Sequence, residues 1–307
     1  MQLCTIKETA ERWNVSERLV RRLCIEGRIH EAVQEDGTWF IPSTMEKPQR
    51  KINTKRQKAA PNLSAFAKRI VYQRSKNNHY GIYEYIQVNL AYSSNRMASN
   101  RLTRIQVEEI YRTNRISPSF EANKVDDIIE TTNHFEAVRY VVDHISEPLT
   151  QTFCKKLHHI LTYGTYADRK SAVRPGEYRN SASKIGVEPK TINVHMASLL
   201  QEYELVPTTF EGILDFHVRF ERIRPFADYN GRVGRLIMLK ECLRFGIDPF
   251  IIDDKRRGAY IRGIVAWDAD PDQLISVSLE AQERFQGKME LCKLFQYARG
   301  PEGKKRK

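Results

Sequence analysis

Residues 224–235 gather the groups that a phosphate-binding site needs: Arg224, Pro225, Phe226, Ala227, Asp228, Tyr229, Asn230, Gly231, Arg232, Val233, Gly234 and Arg235. Arg232 and Arg235 are two cations three positions apart, so a helix sets them on neighbouring faces of one turn. Asn230 and Gly231 open an apolar run. A helix that begins there offers unpaired N–H groups and a partial positive charge to an anion. Asp228, just ahead of it, is an oxygen ligand placed to share a divalent cation with that phosphate. The chemistry expected of this constellation is a polyphosphate cradle.

Two helices must position it. Phe210, Ile213, Leu214 and His217 recur at helical spacing before the loop, and Leu236, Ile237, Leu239 and Leu243 after it. Pro225 breaks the pattern between them, because proline cannot continue a helix. Earlier stripes run through Ile70, Val71, Tyr83, Ile86 and Leu90, and through Ile129, Phe135, Val138 and Val142. From Leu63 onward the period is helical and no repeat of 20–50 residues is evident, so a mainly α-helical domain is expected.

The loop resembles the active-site motif of the Fic (Fido) family, His-Pro-Phe-x-Asp/Glu-Gly-Asn-Gly-Arg-x-x-Arg. Ile223, Pro225, Phe226, Asp228, Asn230, Gly231, Arg232 and Arg235 match it. The resemblance implies a Fic-type helical domain that moves AMP from ATP, with Mg, onto a hydroxyl of a target protein. It places nucleotide at Tyr229, Asn230, Gly231, Arg232 and Arg235, and the metal at Asp228. Two positions depart from the motif. Arg224 stands where the family has its catalytic histidine, and Tyr229 where it has a glycine. The histidine accepts the proton of the attacking hydroxyl, whereas a guanidinium offers donors and no acceptor. Loss of a positioned base costs on the order of 10²–10⁴ in rate. A tyrosine in a tight anion loop must either strain the backbone or lean its ring into or over the pocket.

Other segments extend the likeness over roughly residues 60–290. Ser94, Asn95, Arg96, Met97, Ala98 and Ser99 resemble the family's inhibitory helix, Ser/Thr-x-x-x-Glu-Gly/Asn, with Ala98 in place of the glutamate and Ser99 in place of the glycine or asparagine. In autoinhibited relatives that glutamate pairs with the motif's second arginine, here Arg235. Residues 126–134 resemble a core-helix signature. Residues 174–187 resemble the β-hairpin flap that docks a target peptide by strand addition. Residues 254–267, with Tyr260, resemble the helices that close the nucleotide pocket.

Residues 1–45 read as a separate module. Thr5 and Glu8 have the spacing of a capping box, Ser16 caps a second helix bearing Leu19, Val20 and Leu23, and Gly27 ends it. An alternating run around Asp36-Gly37, with Trp39, Ile41 and Pro42, predicts a hairpin. Helix, turn, helix and wing resemble the winged helix-turn-helix of MerR- and excisionase-like proteins. That likeness implies a second helix in the DNA major groove, with Arg18, Arg21 and Arg22 as the DNA-binding residues. Residues 46–61 read as a basic linker, 62–295 as the Fic-like domain and 296–307 as a basic tail.

The net charge of +12 and pI near 9.4 favour an anionic partner. Five scattered cysteines without Cys-x-x-Cys spacing read as reduced thiols, and no apolar run of about 18 residues exists. A cytoplasmic protein with no membrane partner is expected. His217 and His134 read as core residues, the latter making structural hydrogen bonds, and His158 and His159 receive no role. Three functions stay open: a nucleotide-sensing DNA-binding regulator, a transferase working without the histidine, and an interaction module docking through the flap.

Overall fold

The computed structural model describes residues 3–13, 17–25, 29, 31–35, 38–47, 62–76, 81–115, 124–170 and 173–298. The chain divides into two compact units, residues 1–59 and 60–307. The first contains β1 (Leu3–Thr5), α1 (Ile6–Trp13), α2 (Glu17–Ile25), β2 (Val33–Glu35) and β3 (Thr38–Pro42). The capping box forms: the Thr5 N–H donates to the Glu8 carboxylate (2.7 Å) and the Glu8 N–H to the Thr5 hydroxyl (3.3 Å). The expected hairpin is β2–β3, with Glu35 opposite Thr38. Its turn, Asp36-Gly37, lies outside the described residues, as do Ser16 and Gly27. One strand is additional. β1 pairs antiparallel with β3, giving the order β1-β3-β2. Three residues are too few to show alternation, which is why the sequence did not announce it. Ile6, Ala10, Val20, Leu23 and Ile41 form the buried interior of this unit.

The second unit is helical: α3 (Ala65–Ser75), α4 (Ile82–Arg96), α5 (Arg104–Thr113), α6 (Val125–Asp143), α7 (Gln151–Thr162), α8 (Tyr166–Lys170), α9 (Ile192–Glu204), α10 (Phe210–Ile223), α11 (Asn230–Phe245), α12 (Arg257–Ala266) and α13 (Asp272–Ala298). α11 is the axis. It is buried continuously from Arg232 to Leu243 and packs against α3, α4, α6, α7 and α10. Even Lys240 is inside, its ammonium donating to the Glu241 carboxylate (2.9 Å) and the Glu147 carbonyl (2.6 Å). Most residues of the expected apolar stripes are buried, but Ile129 is only half-buried, and Val71 is exposed while its neighbour Ile70 is fully buried. Adjacent helical positions diverge by about 100°, so one of the pair had to leave the core face.

The flap does not form as a β-hairpin. Residues 173–188 contain no strand. Their backbone polar groups are satisfied elsewhere: the Arg179 N–H donates to the Pro225 carbonyl (2.9 Å) and the Val187 N–H to the Ile223 carbonyl (3.4 Å). The buried Arg179 guanidinium donates to the carbonyls of Arg224 (2.7 Å) and Ser181 (2.8 Å), and also to that of Val187. A side chain that gathers the Ser181 and Val187 carbonyls takes acceptors a strand ladder would use. Among the described residues no helix is long and apolar enough to cross a membrane.

Candidate functional site

The loop sits where the helical pattern broke. α10 ends at Ile223, and Arg224 caps it in the left-handed region (φ 48°), its N–H bonded to the Phe220 carbonyl (3.2 Å). Asn230 then clasps the turn: the Phe226 N–H donates to its side-chain oxygen (2.9 Å) and its amide donates to the Phe226 carbonyl (2.8 Å). Beneath the turn, Phe226 is fully buried and stacks on His158, with ring centroids 4.0 Å apart and planes 6° off parallel. His158 accepts the Gly176 N–H at Nδ1 (2.9 Å) and bonds the Asp228 backbone. Burial, then the Arg232 charge, pushes its pKa down to about 3, so the ring is a neutral part of the floor.

Both outcomes foreseen for Tyr229 occur together. Its backbone is left-handed (φ 63°), an unusual state for a bulky residue, and its ring leans inward until only 5% is exposed. The hydroxyl donates to Glu130 Oε1 (2.6 Å) on α6. Arg232 lies over the same ring, its Cζ 3.3 Å from the centroid, and Nη1 pairs with Glu130 Oε1 (3.1 Å). Asn100 Nδ2 reaches the other oxygen, Glu130 Oε2 (3.4 Å). Arg235 turns away to α4, where Nε donates to the Ser94 hydroxyl (2.9 Å) and Nη2 to the Ser94 carbonyl (3.1 Å). Ala98 and Ser99 lie beyond the end of α4 and are exposed, Ser99 at φ 72°.

Asp228 is exposed and accepts the Tyr229 N–H at Oδ1 (2.7 Å). Among the described residues no three His, Cys, Asp or Glu side chains gather to hold a metal. One open carboxylate beside a helix N-terminus nevertheless suits Mg, which keeps water and phosphate as its other ligands.

Tyr260 is buried against His217, and its hydroxyl shares a hydrogen bond with His217 Nε2. Burial, then the Arg235 charge, pushes His217 down to about 3. A Cβ on Gly234 would stand 2.5 Å from His217 Nδ1, so this glycine is what lets α10 and α11 approach. His134 is a correction. It is fully buried, but among the described residues neither ring nitrogen has a side-chain or neighbouring-element hydrogen-bond partner, and burial with Arg235 and Arg232 nearby pushes it to about 3.

Sequence reasoning missed Glu130, His158, Arg179 and Glu221. Glu130 lay inside the quoted stretch 126–134 without a partner to single it out. Glu221 sits one turn before Arg224 on α10, its Oε1 3.0 Å from where a Gly231 Cβ would be, and burial raises its carboxyl pKa. Of the N-terminal arginines, Arg21 is exposed, while the side chains of Arg18 and Arg22 lie outside the described residues.

The sequence model of the Fic/DOC family matches residues 148–242, from before α7 into α11, and so includes the whole loop. Within the helical unit, residues 148–242 match a Fic/DOC domain. Solved Fic structures share its fold. A Fic domain containing signaling protein from Bacteroides thetaiotaomicron is 20% identical over 74% of this chain and 91% of its own, with a TM-score of 0.55. A Fic family protein from Desulfovibrio desulfuricans is 18% identical over 75% of this chain and 77% of its own, with a TM-score of 0.54. Fic-1 from C. elegans is 17% identical over 79% of this chain and 78% of its own, with a TM-score of 0.59. At these identities the likeness establishes the fold of the Fic domain and its surrounding helices. No curated protein matches this chain in sequence.

Proposed function

We propose that the Fic domain binds a nucleotide at the α10–α11 loop without carrying out ordinary AMP transfer, and that the N-terminal unit binds DNA, making the protein a nucleotide-sensing regulator. The observation that carries the reading is Arg224. It terminates α10, half-exposed, at the position the resemblance gives to the proton acceptor, and a guanidinium accepts no proton. His217 does not stand in for it, being fully buried, neutral and bonded to Tyr260. The N–H groups of Asn230, Gly231 and Arg232, at the start of α11, have no acceptor within the helix and favour phosphate. Mg held by Asp228 would supply charge neutralisation to that phosphate.

The exposed Arg21, with Arg18 and Arg22 on the same helix, supports DNA binding by α2, and the net charge of +12 points the same way. A target protein would dock along residues 174–187. The reduced cysteines Cys4, Cys24, Cys154 and Cys242 suit a cytoplasmic setting.

A second reading, an active transferase, draws on Glu221, a carboxyl with raised pKa beside the start of α11. Label transfer into a cell lysate from ATP, GTP, CTP and UTP, each labelled on the α-phosphate, separates the two. Transfer by the Arg224→His/Tyr229→Gly variant alone is expected. Transfer by the unaltered chain, lost in Glu221→Gln, would establish the second reading instead.

A further inference from the structure

We propose that Tyr229 and Glu130 form a latch that holds the phosphate site closed in this chain, a proposal that rests on the nucleotide-binding reading above. The site has three parts that a polyphosphate would use: a loop cation, the loop N–H groups and the metal carboxylate. One member of each is already engaged from within. Arg232 is covered on one face by the Tyr229 ring at 3.3 Å and pairs through Nη1 with Glu130 at 3.1 Å. The Tyr229 N–H is taken by Asp228 Oδ1 at 2.7 Å, which engages one of the two oxygens that this carboxylate offers a metal. Glu130 is the centre of the arrangement. Its Oε1 accepts the Tyr229 hydroxyl and forms an ion pair with Arg232, while Asn100, just past α4, reaches its Oε2.

A carboxylate bound to an arginine in a nearly buried place competes directly with a phosphate oxygen for the same donors. Arg232 is only 4% exposed and Glu130 only 16%, so water screens the pair weakly. Tyr229 adds the positional element. The left-handed backbone points its ring under Arg232, and that conformation persists because the hydroxyl bond and the stacked guanidinium hold it. Phosphate must therefore displace Glu130 and move the Tyr229 ring, and whatever shifts α6 or the Asn100 segment governs access to the site. The latch acts on the first arginine of the loop from the core helix α6. Arg235, in contrast, is engaged by the Ser94 hydroxyl and carbonyl on α4.

Isothermal titration of the full chain with ATP and magnesium tests the latch. Glu130→Gln removes the competing charge, Tyr229→Phe removes only the hydroxyl, and Tyr229→Gly removes the ring. Glu130→Gln and Tyr229→Gly are each expected to bind at least about tenfold tighter than the unaltered chain, with a smaller gain for Tyr229→Phe. Adding Arg232→Ala to Glu130→Gln should abolish that gain. Equal affinity of the unaltered chain and the three single variants, with loss in Arg232→Ala, overturns the latch and leaves nucleotide binding standing. Absence of binding by every variant, Tyr229→Phe included because it keeps the ring and the fold, overturns the latch and the nucleotide reading together.

Discussion

The α10–α11 loop has a floor and a rim, and the two hold their residues for different reasons. On the floor, each motif residue has a partner in the fold: Phe226 stacks on His158, Asn230 clasps Phe226, Arg232 pairs with Glu130 and Arg235 bonds Ser94. On the rim, Ala227 and Asp228 are exposed and Arg224 half-exposed, and among the described residues the Asp228 side chain bonds its neighbour's N–H alone. The floor would be required by packing with or without a ligand. A match to a family motif over such residues therefore attests the scaffold first. Chemistry must be read from the rim, which is where Arg224 departs from the family and Asp228 does not.

The sharpest way to break this contrast is to empty the floor. Phe226→Ala removes a fully buried ring packed against His158, Tyr178 and Phe220. Urea denaturation should show a loss of about 3–5 kcal/mol; a loss below about 1 kcal/mol would mean that the floor is not structural.

Next in size is an acid effect from His158. Its folded pKa of about 3 lies below the ordinary 6.5, so between those values the unfolded chain binds a proton that the folded chain excludes. Stability is therefore fully present above pH 6.5 and is lost as pH falls toward 3. At pH 5 the loss is about 2 kcal/mol from this group. His158→Phe, which keeps a ring under Phe226, should flatten the decline between pH 7 and pH 5 by that amount. An unchanged slope would place the proton-sensitive part of the fold outside the floor.

How far the sequence announced this arrangement depends on the range of each interaction. The break at Pro225, the restart at Asn230 and the Thr5–Glu8 cap depend on neighbours within a few positions, and all three were legible in residue order. The flap was not. Residues 174–187 read as extended, but Arg179 draws the carbonyls of Ser181, Val187 and the α10 terminus onto one guanidinium, a contact spanning 45 positions in the case of Arg224. Glu130 was equally hidden. A carboxylate on an amphipathic helix reads as solvated until the packing of α6 on α11 brings Tyr229 and Arg232 to it, 99 positions away for the tyrosine. His158 lacked any local signal because its partners are a ring on another element and an N–H in an irregular segment. Tyr229 stands between these cases: the sequence marked it as a misfit in a glycine position, and only the fold showed where the misfit is absorbed.

The smallest effect on stability belongs to the rim, and it makes the finest test. Asp228→Asn keeps an oxygen that can accept the Tyr229 N–H while removing the charge. Because the side chain is exposed and makes no other bond among the described residues, denaturation should move by no more than about 0.5 kcal/mol. ATP binding should respond quite differently, since an amide oxygen is a weaker ligand for a hard cation than a carboxylate. The expected result is that magnesium no longer tightens ATP binding in the variant, whereas ATP alone binds as in the unaltered chain. A stability loss above about 1 kcal/mol would reassign Asp228 to the floor, and its match to the motif would then say nothing about a metal. An undiminished magnesium effect would keep it on the rim but leave the cation to the phosphates, so that Arg224 alone would carry what distinguishes this site chemically.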